Sequence, residues 1–194
     1  ALAPLHRAFG LERLVVTTLQ AISGAGRPGP SALDMVDNII PFIPGEEEKI
    51  GAEPRKILGA PGAPASFPVD ATAVRVPVLH GHTVSVSASF RDAPSPARAK
   101  EAFLDFGKES VHGSLPSSPA RLLAVTDEPG RPQPRLDRDA GDGLTVTVGR
   151  IREGAALDLS FLVLAHNLVR GAAGAALLNG ELCAHRGLLE NAQT

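Results

Sequence analysis

The chain has 194 residues, which suits one large domain and allows roughly 70% of the unfolded surface to be buried. Hydrophobic residues make up 43% and charged residues 21%, with a formal net charge of −2 and no long Lys/Arg cluster, which argues against a nucleic-acid partner. Apolar runs such as LSFLVLA are too short to span a bilayer, so no membrane partner is expected. One cysteine, Cys183, excludes an intrachain disulfide and favours a reducing, cytoplasmic setting.

The first third of the chain predicts a helix end, a strand and two helices. Residues 1–9 resemble the last turns of a helix that Gly10 closes in a left-handed conformation, and LERLVVTTLQ follows as a β-branched strand. AISGAGRPGP is a turn. Ser31 then begins a helix over SALDMVDNIIPFI, in which Leu33, Val36, Ile39 and Ile40 have helical spacing. EEEKIGAEPRKILG predicts a second helix, broken or kinked at Pro54.

The remainder alternates strands, loop and helices. FPVDATAVRVPVLHGHTVSVSASF predicts two strand-like runs that divide near Pro77 and Gly81, and SPARAKEAFLDF predicts a helix. Residues 107–142 are polar and proline-rich, so most of them are expected in surface loop. LTVTVGRIRE and LDLSFLVLA predict strands, and a C-terminal helix over about 168–190 has small residues that would permit close packing.

This order lacks a regular strand–helix–strand alternation, and no GxGxxG motif follows a strand. We therefore expect an α+β domain in which helices cover a mostly antiparallel sheet, in place of a doubly wound nucleotide-binding fold.

Arg75, His80 and His82 are polar groups that a strand does not need. In one uninterrupted strand Arg75 and His82 would point to opposite faces, so a shared pocket requires a bulge, which Gly81 and Pro77 permit. The functional interpretation is a guanidinium that grips a carboxylate beside an imidazole that transfers protons. The alternative is a solvated strand end with satisfied histidines.

Other polar residues lie at positions that could contact a ligand. Gln20 leads into the SGAG turn, which could present backbone to a ligand or simply connect elements. Glu46 and Lys49 share a helix face, where they could flank a ligand or form a local ion pair. Asn167 could be an ordinary helix cap.

Cys183 is rejected as a nucleophile. It lies within a predicted helix, and its neighbour His185 would point elsewhere, so a structural thiol is the better interpretation. With one cysteine and no HExxH-type arrangement, no metal site is predicted.

Seven stretches, in order, resemble one family, the aspartate-β-semialdehyde dehydrogenases, and are most similar to its archaeal and fungal branch: LQAISGAG, LDMVDNIIPFIPGEEEK, KILG, VRVPVLHGHT, RPQPRLDRD, VGRIRE and NLVRGAA. The resemblance covers nearly the whole chain. It implies the C-terminal catalytic and dimerisation domain, with the fold of the corresponding glyceraldehyde-3-phosphate dehydrogenase domain, and therefore a homodimer.

The resemblance also implies an activity and residue roles. Family enzymes reduce L-aspartyl-β-phosphate to the semialdehyde with NADPH through a cysteine thioester, releasing phosphate. The implied roles are His82 as acid/base, Gln20 for substrate orientation, Arg75 for the substrate carboxylate, Glu46 for its amine, Lys49 for phosphate, and Ser23, Gly24 and Asn167 near the cofactor. His80 receives no role.

The family's Asn-Cys-Thr or Asn-Cys-Ser motif does not occur in the chain, and neither does the N-terminal Rossmann domain that binds most of the cofactor. By the resemblance both precede Ala1, so this chain alone is expected to be inactive. His166 and Val169-Arg170 replace the family's usual aspartate and Arg-Lys pair. Two alternatives stay open: a non-catalytic dimerisation or scaffold module, and a related acyl-phosphate or acyl-thioester reductase.

Overall fold

The computed structural model describes residues 1–108 and 111–189. Its helices are α1 (Leu2–Phe9), α2 (Ala32–Met35), α3 (Glu46–Leu58), α4 (Pro96–Asp105), α5 (Pro134–Asp137) and α6 (Gly174–His185), with 3-10 turns at Ile22–Ala25 and Val111–Ser114 and a π turn at Val169–Ala173. Its strands are β1 (Leu11–Gln20), β2 (Val69–Arg75), β3 (His82–Phe90), β4 (Leu123–Thr126), β5 (Val146–Glu153) and β6 (Leu159–Ala165).

The six strands form one mixed sheet in the order β2-β1-β3-β6-β5-β4. The three inner pairings, β1–β3, β3–β6 and β6–β5, are antiparallel, whereas the outer strands β2 and β4 pair in parallel. The expected α+β class with a mostly antiparallel sheet is confirmed.

Helices cover one face of this sheet. Alternate residues of the central strands point into that layer, as strand geometry requires, and meet apolar residues of α1 and α4. Phe103 of α4 packs edge-on against Phe161 of β6, with ring centroids 5.4 Å apart. The buried members are Leu5, Phe9, Leu11, Leu14, Val16, Phe67, Val86, Ala88, Phe90, Ala99, Phe103, Leu123, Val148, Leu159 and Phe161.

The opposite face of the sheet is open along β1. Val15 and Leu19 point to that side and are 39% and 37% exposed, although their neighbours Leu14 and Val16 are buried in the core. Ser85 of β3, paired with Thr17, is also exposed. In the described part of the chain, no helix is long and apolar enough to cross a membrane.

The helix predicted from Ser31 through Ile43 is wrong beyond its first turn. Ser31 does cap α2 through Asp34, but the helix ends at Met35, and Asp37 adopts a left-handed φ of 57°. Ile40 instead exchanges two backbone hydrogen bonds with Arg75, at 3.0 and 2.8 Å. Pairing with the outer edge of β2 therefore overrides the helical spacing of the apolar residues.

The described part of residues 107–142 is mostly loop, as predicted, although it also contains β4, which pairs in parallel with β5, and the short helix α5. Two helices differ from their predicted form. Pro54 does not break α3, which continues to Leu58. The C-terminal helix begins as a π turn at Val169 and its α-helical part ends at His185; the predicted end at residue 190 lies outside the described residues.

Candidate functional site

The predicted site residues lie at one edge of the sheet. Parallel strands β1 and β2 end side by side there, with Gln20 in register with Arg75. The antiparallel strand β3 begins at the same edge, where His82 pairs with Ala165 at the end of β6. Because Leu19 pairs with Thr83, one further step in register sets His82 opposite Gln20. Three neighbouring strands thus bring Gln20, Arg75 and His82 to one face.

The predicted bulge within a single strand is wrong as the means of bringing Arg75 and His82 together. The two residues belong to different strands, β2 and β3, which lie on opposite sides of β1. The connection between them crosses the end of β1, and Gly81 takes a φ of +97° immediately before His82. Arg75 and His82 are close because their strands are neighbours of β1 in the sheet, and no slip in register within one strand is needed. No local sequence pattern encodes this arrangement.

Ala21, the residue after β1, orients both side chains. Its carbonyl accepts a hydrogen bond from Arg75 Nη1 at 2.8 Å, and its amide donates to His82 Nδ1 at 3.0 Å. Since Nδ1 accepts, the neutral imidazole of His82 carries its proton on Nε2.

Gly24 fills the space between Arg75 and His82. A Cβ atom at this position would lie 3.0 Å from Arg75 Nη1 and from Cε1 and Nε2 of His82. A larger residue at this position of the turn would therefore press against both side chains and shift them by a few tenths of an ångström.

Burial sets the charge states of these two groups. Arg75 is 7% exposed, and desolvation lowers the pKa of its guanidinium, with Glu46 opposing that change. Desolvation, followed by the positive charge of Arg75, lowers the pKa of His82 to about 4, against the opposing effect of Glu46. A permanent cation therefore stands beside an imidazole that is neutral at physiological pH.

Glu46, at the first turn of α3, connects to the same edge. Its Oε2 accepts from Gln20 Nε2 at 3.0 Å and its Oε1 from Lys49 Nζ at 2.9 Å. The hydrogen bond from Gln20, then that from Lys49, lowers the pKa of the Glu46 carboxyl. Lys49 is 60% exposed, so the local ion pair that the spacing allowed is present.

Glu47 anchors this end of α3. Its Oε1 accepts the backbone N–H of Ala73 on the outer edge of β2, at 3.0 Å. The contact fixes the first turn of α3 against the strand that carries Arg75, and so fixes where Glu46 stands.

The three residues assigned to the cofactor lie together beside His82. Asn167 Nδ2 donates to Ser23 Oγ at 2.9 Å, and Asn167 Oδ1 accepts the N–H of Gly81 at 2.8 Å. The helix-cap interpretation of Asn167 does not hold, since His166 Nδ1 instead accepts from the N–H groups of Leu168 and Val169, at 3.3 Å each.

Sequence reasoning missed Ala21, because it orients Arg75 and His82 through its backbone atoms and its methyl side chain gives no sign of a functional role. It also missed the stacking of His80 on His166, with ring centroids 5.6 Å apart. Both histidines were visible in the sequence, but their separation along the chain hid the contact.

Cys183 lies in α6 and is half-buried, whereas the sequence predicted a buried thiol. Within residues 1–108 and 111–189, no group of three or more His, Cys, Asp or Glu side chains is placed to hold a metal ion.

The structure thus defines a domain with a mixed six-stranded sheet, helices on one face, and Gln20, Arg75 and His82 brought together where three strands meet. The family model "Semialdehyde dehydrogenase, dimerisation domain" matches residues 2–170. The chain belongs to this family.

Individual relatives agree. The chain is 45% identical over 201 residues to the aspartate-semialdehyde dehydrogenase of Cryptococcus neoformans, covering 97% of this chain and 55% of the relative. It is 49% identical over 179 residues to that of Archaeoglobus fulgidus, covering 90% of this chain and 51% of the relative. The expected similarity to archaeal and fungal enzymes is confirmed.

Solved structures match as well. The Candida albicans aspartate semialdehyde dehydrogenase with NADP superposes with a TM-score of 0.84 at 41% identity, covering 97% of this chain and 55% of that one. The Vibrio cholerae aspartate semialdehyde dehydrogenase II complexed with ASA gives 0.76 at 26% identity, with 94% and 57% covered. The chain thus spans about half the length of the relatives it matches.

Proposed function

We propose that this chain is the substrate-binding and dimerisation part of a cytoplasmic, NADPH-dependent aspartate-semialdehyde dehydrogenase. The observation that carries the proposal is the pair formed by Arg75 and His82, both oriented by the backbone of Ala21 at the end of β1. The complete protein would reduce L-aspartyl-β-phosphate to the semialdehyde, through a thioester on a cysteine that lies outside these 194 residues.

Substrate recognition would use the charged groups at the sheet edge. Arg75 is buried and positively charged, so its planar guanidinium suits the α-carboxylate of the substrate. Glu46, with its lowered carboxyl pKa, stays ionised and suits the amine. Lys49 is exposed and mobile enough by length to leave Glu46 for an incoming phosphate. Amine recognition by Glu46 distinguishes an amino-acid substrate from a simple dicarboxylate.

His82 would act on the reacting carbonyl through Nε2. The Ala21 N–H occupies Nδ1, so the neutral ring presents a donor at Nε2. A donor held at this position stabilises the negative charge that develops on the carbonyl oxygen during attack and reduction. We infer that His82 serves foremost as a neutral hydrogen-bond donor, since a second proton would set an Nδ1–H against the Ala21 N–H. Gln20 would hold the substrate against this pair.

The residues near Ser23 fit the reacting end of the cofactor. Gly24 offers backbone without a side chain, and the polar atoms of Ser23 and Asn167 lie 2.9 Å apart beside it. NADPH, when bound, supplies the hydride. Gly24 and Ser23 would set the distance between the cofactor and His82, while the separate domain holds the rest of the nucleotide.

The partner of this domain would be a second copy of the protein. The open face of the sheet, defined by Val15, Thr17, Leu19 and Ser85, is the surface on which we place the homodimer contact. Exposed apolar side chains on an otherwise regular sheet face favour burial against another surface.

A dehydrogenase assay on the complete protein tests the proposal. Phosphate-dependent reduction of NADP with L-aspartate-β-semialdehyde should be observed, and the same assay with succinate semialdehyde, which lacks the amine, should give little rate. No turnover of either aldehyde would favour the non-catalytic scaffold interpretation. Equal rates on both would remove the role given to Glu46.

A further inference from the structure

The turn Ala21–Gly24 orients Arg75 and His82, so whatever holds this turn also holds the candidate site. Its backbone is tied to the connection between β2 and β3: the Ile22 N–H donates to the Val78 carbonyl at 2.8 Å and the Ser23 N–H to the Leu79 carbonyl at 3.3 Å. The backbone bonds fix one side of the turn and leave Ser23's side chain to fix the other.

Ser23 Oγ is the centre of a closed network. Asn167 Nδ2 lies 2.9 Å from it and His80 Nδ1 also lies 2.9 Å from it. Asn167 Oδ1 accepts the N–H of Gly81, the residue between His80 and His82. The network therefore connects the turn, the start of β3 and the end of β6.

Matching donors to acceptors favours one direction for these bonds. The Asn167 amide can only donate from Nδ2, so Ser23 Oγ accepts that bond. The hydroxyl has one proton of its own, and His80 Nδ1 is within 2.9 Å to accept it. This assignment gives the Ser23 hydroxyl proton an acceptor and corresponds to the His80 tautomer in which Nδ1 accepts and Nε2 carries the proton.

We propose that His80 is a positioning residue for the active site: by accepting the Ser23 hydroxyl proton it fixes the Ala21–Gly24 turn, and through that turn the orientation of Arg75 and His82. The catalytic consequence rests on the proposed function, whereas the structural consequence for His82 does not.

The ring of His80 is itself held in place. It stacks on His166 with an interplanar angle of 19°. His166 is in turn held by hydrogen bonds that its Nδ1 accepts from the backbone N–H groups of Leu168 and Val169. His166 is 9% exposed. The stack sets the plane of the His80 ring, and the hydrogen bond to Ser23 transmits that position to the turn.

Two substitutions separate the hydrogen bond from the stack. His80→Phe keeps an aromatic ring for His166 and removes the acceptor. His80→Asn removes the ring, but its Oδ1 is the same number of bonds from Cα as Nδ1 and can accept from Ser23. The readout is the titration of His82 by NMR in the complete, histidine-labelled protein, with His82→Asn used to assign its resonances.

In the wild type we expect His82 to titrate near pH 4, because its burial and then the charge of Arg75 disfavour the protonated ring. Arg75 from β2 and Glu46 from α3 are the charged groups that act on it, and both variants retain them. His80→Phe should raise the pKa of His82 by about one unit or more as water enters. His80→Asn should leave it near the wild-type value. In the dehydrogenase assay, kcat should fall for His80→Phe and recover for His80→Asn.

The proposal is overturned if His80→Phe leaves the titration of His82 unchanged, or if His80→Asn shifts it as far as His80→Phe does. Ser23→Ala, which removes the central hydroxyl and leaves both histidines, should reproduce the His80→Phe shift and replaces that variant if it does not fold. Because the titration needs no turnover, absence of dehydrogenase activity would count against the proposed function and not against the positioning role.

Discussion

Ala21 shows how much a residue without a functional side chain can decide. Its carbonyl and amide face the two groups on which the site depends, and the bonds of 2.8 and 3.0 Å set the direction in which each side chain points. Substitution at Ala21 would leave those backbone atoms in place. The residues whose side chains can be tested are therefore Arg75 and His82.

Arg75→Lys in the complete protein tests the carboxylate role. Lysine keeps the charge and loses the paired donors, so about 2–3 kcal/mol of transition-state binding should be lost, a fall of roughly 30- to 150-fold in kcat/KM. Steady-state kinetics with the semialdehyde measure this. Arg13→Lys, an exposed arginine on β1, is the matched control and should change nothing. Near-normal kinetics for Arg75→Lys would remove Arg75 from substrate binding.

His82 should be neutral, with its proton on Nε2, throughout the physiological pH range. Its pKa of about 4 lies below the usual 6.5, so the unfolded state takes up a proton first as pH falls. The neutral, buried His82 therefore contributes its full share to the free energy of unfolding above pH 6.5. That share is lost progressively as pH falls from 6.5 toward 4, because protonation favours the unfolded state. Nitrogen-15 NMR reports both tautomer and titration. A proton on Nδ1 at pH 7 would contradict the donor role of Nε2.

At the scale of elements, the outer strand β2 depends on two contacts that a sheet edge usually lacks. Ile40 exchanges backbone hydrogen bonds with Arg75, and Glu47 accepts the Ala73 N–H. These contacts satisfy part of the unpaired edge and hold the segments before and within α3 against it. The position of Glu46 in the site follows from them.

Glu47→Ala should loosen this junction. Ala73 is fully buried, so its N–H would lose its acceptor at a cost of about 1–3 kcal/mol. We expect faster amide exchange over Val69–Arg75 and the first turn of α3, measured by hydrogen–deuterium exchange. Glu48→Ala, at an exposed position of the same turn, should leave exchange unchanged, and Glu47→Gln, which keeps an oxygen acceptor, should restore most of the protection. Equal exchange in all three variants would refute the anchoring role.

At the scale of the whole molecule, the two faces of the sheet differ in burial. Helices α1 and α4 bury one face, whereas Val15 and Leu19 leave the other apolar and exposed. The family is defined as a dimerisation domain, and an exposed apolar sheet face is the surface that such a domain can bury against its partner.

Val15→Lys should therefore weaken the proposed homodimer. A charge buried at the centre of the contact costs roughly 2 kcal/mol or more, about 30-fold in the dissociation constant. Light scattering or sedimentation of the complete protein over a dilution series measures the change. Leu104→Lys on α4, at 38% exposure and on the other side of the domain, is the matched control. A Val15→Lys protein that stays as dimeric as the control would move the interface elsewhere.

The sequence predicted best those elements whose ends are marked by local capping and turn residues. The strand at Leu11–Gln20 and the helix at Pro96–Asp105 begin and end with clear signals, such as Gly10 at φ +69° and the Ser95 cap. The segment after Met35 failed because its apolar spacing is compatible with a helix, whereas bonding to β2 required an extended chain. Strand β4 was missed because four residues within a polar region carry too little periodicity.

The sequence by itself determined the family, the α+β class and the residue types available for a carboxylate, an amine and a carbonyl oxygen, since these depend on local pattern and on the order of motifs. Tertiary structure alone decided how they meet. Gln20, Arg75 and His82 lie on three different strands, and the backbone of Ala21 orients Arg75 and His82. His80 and Asn167 meet at Ser23 from distant positions in the chain. The physical reason is that pairing across a sheet sets register between segments far apart in the chain, and no local preference encodes that register.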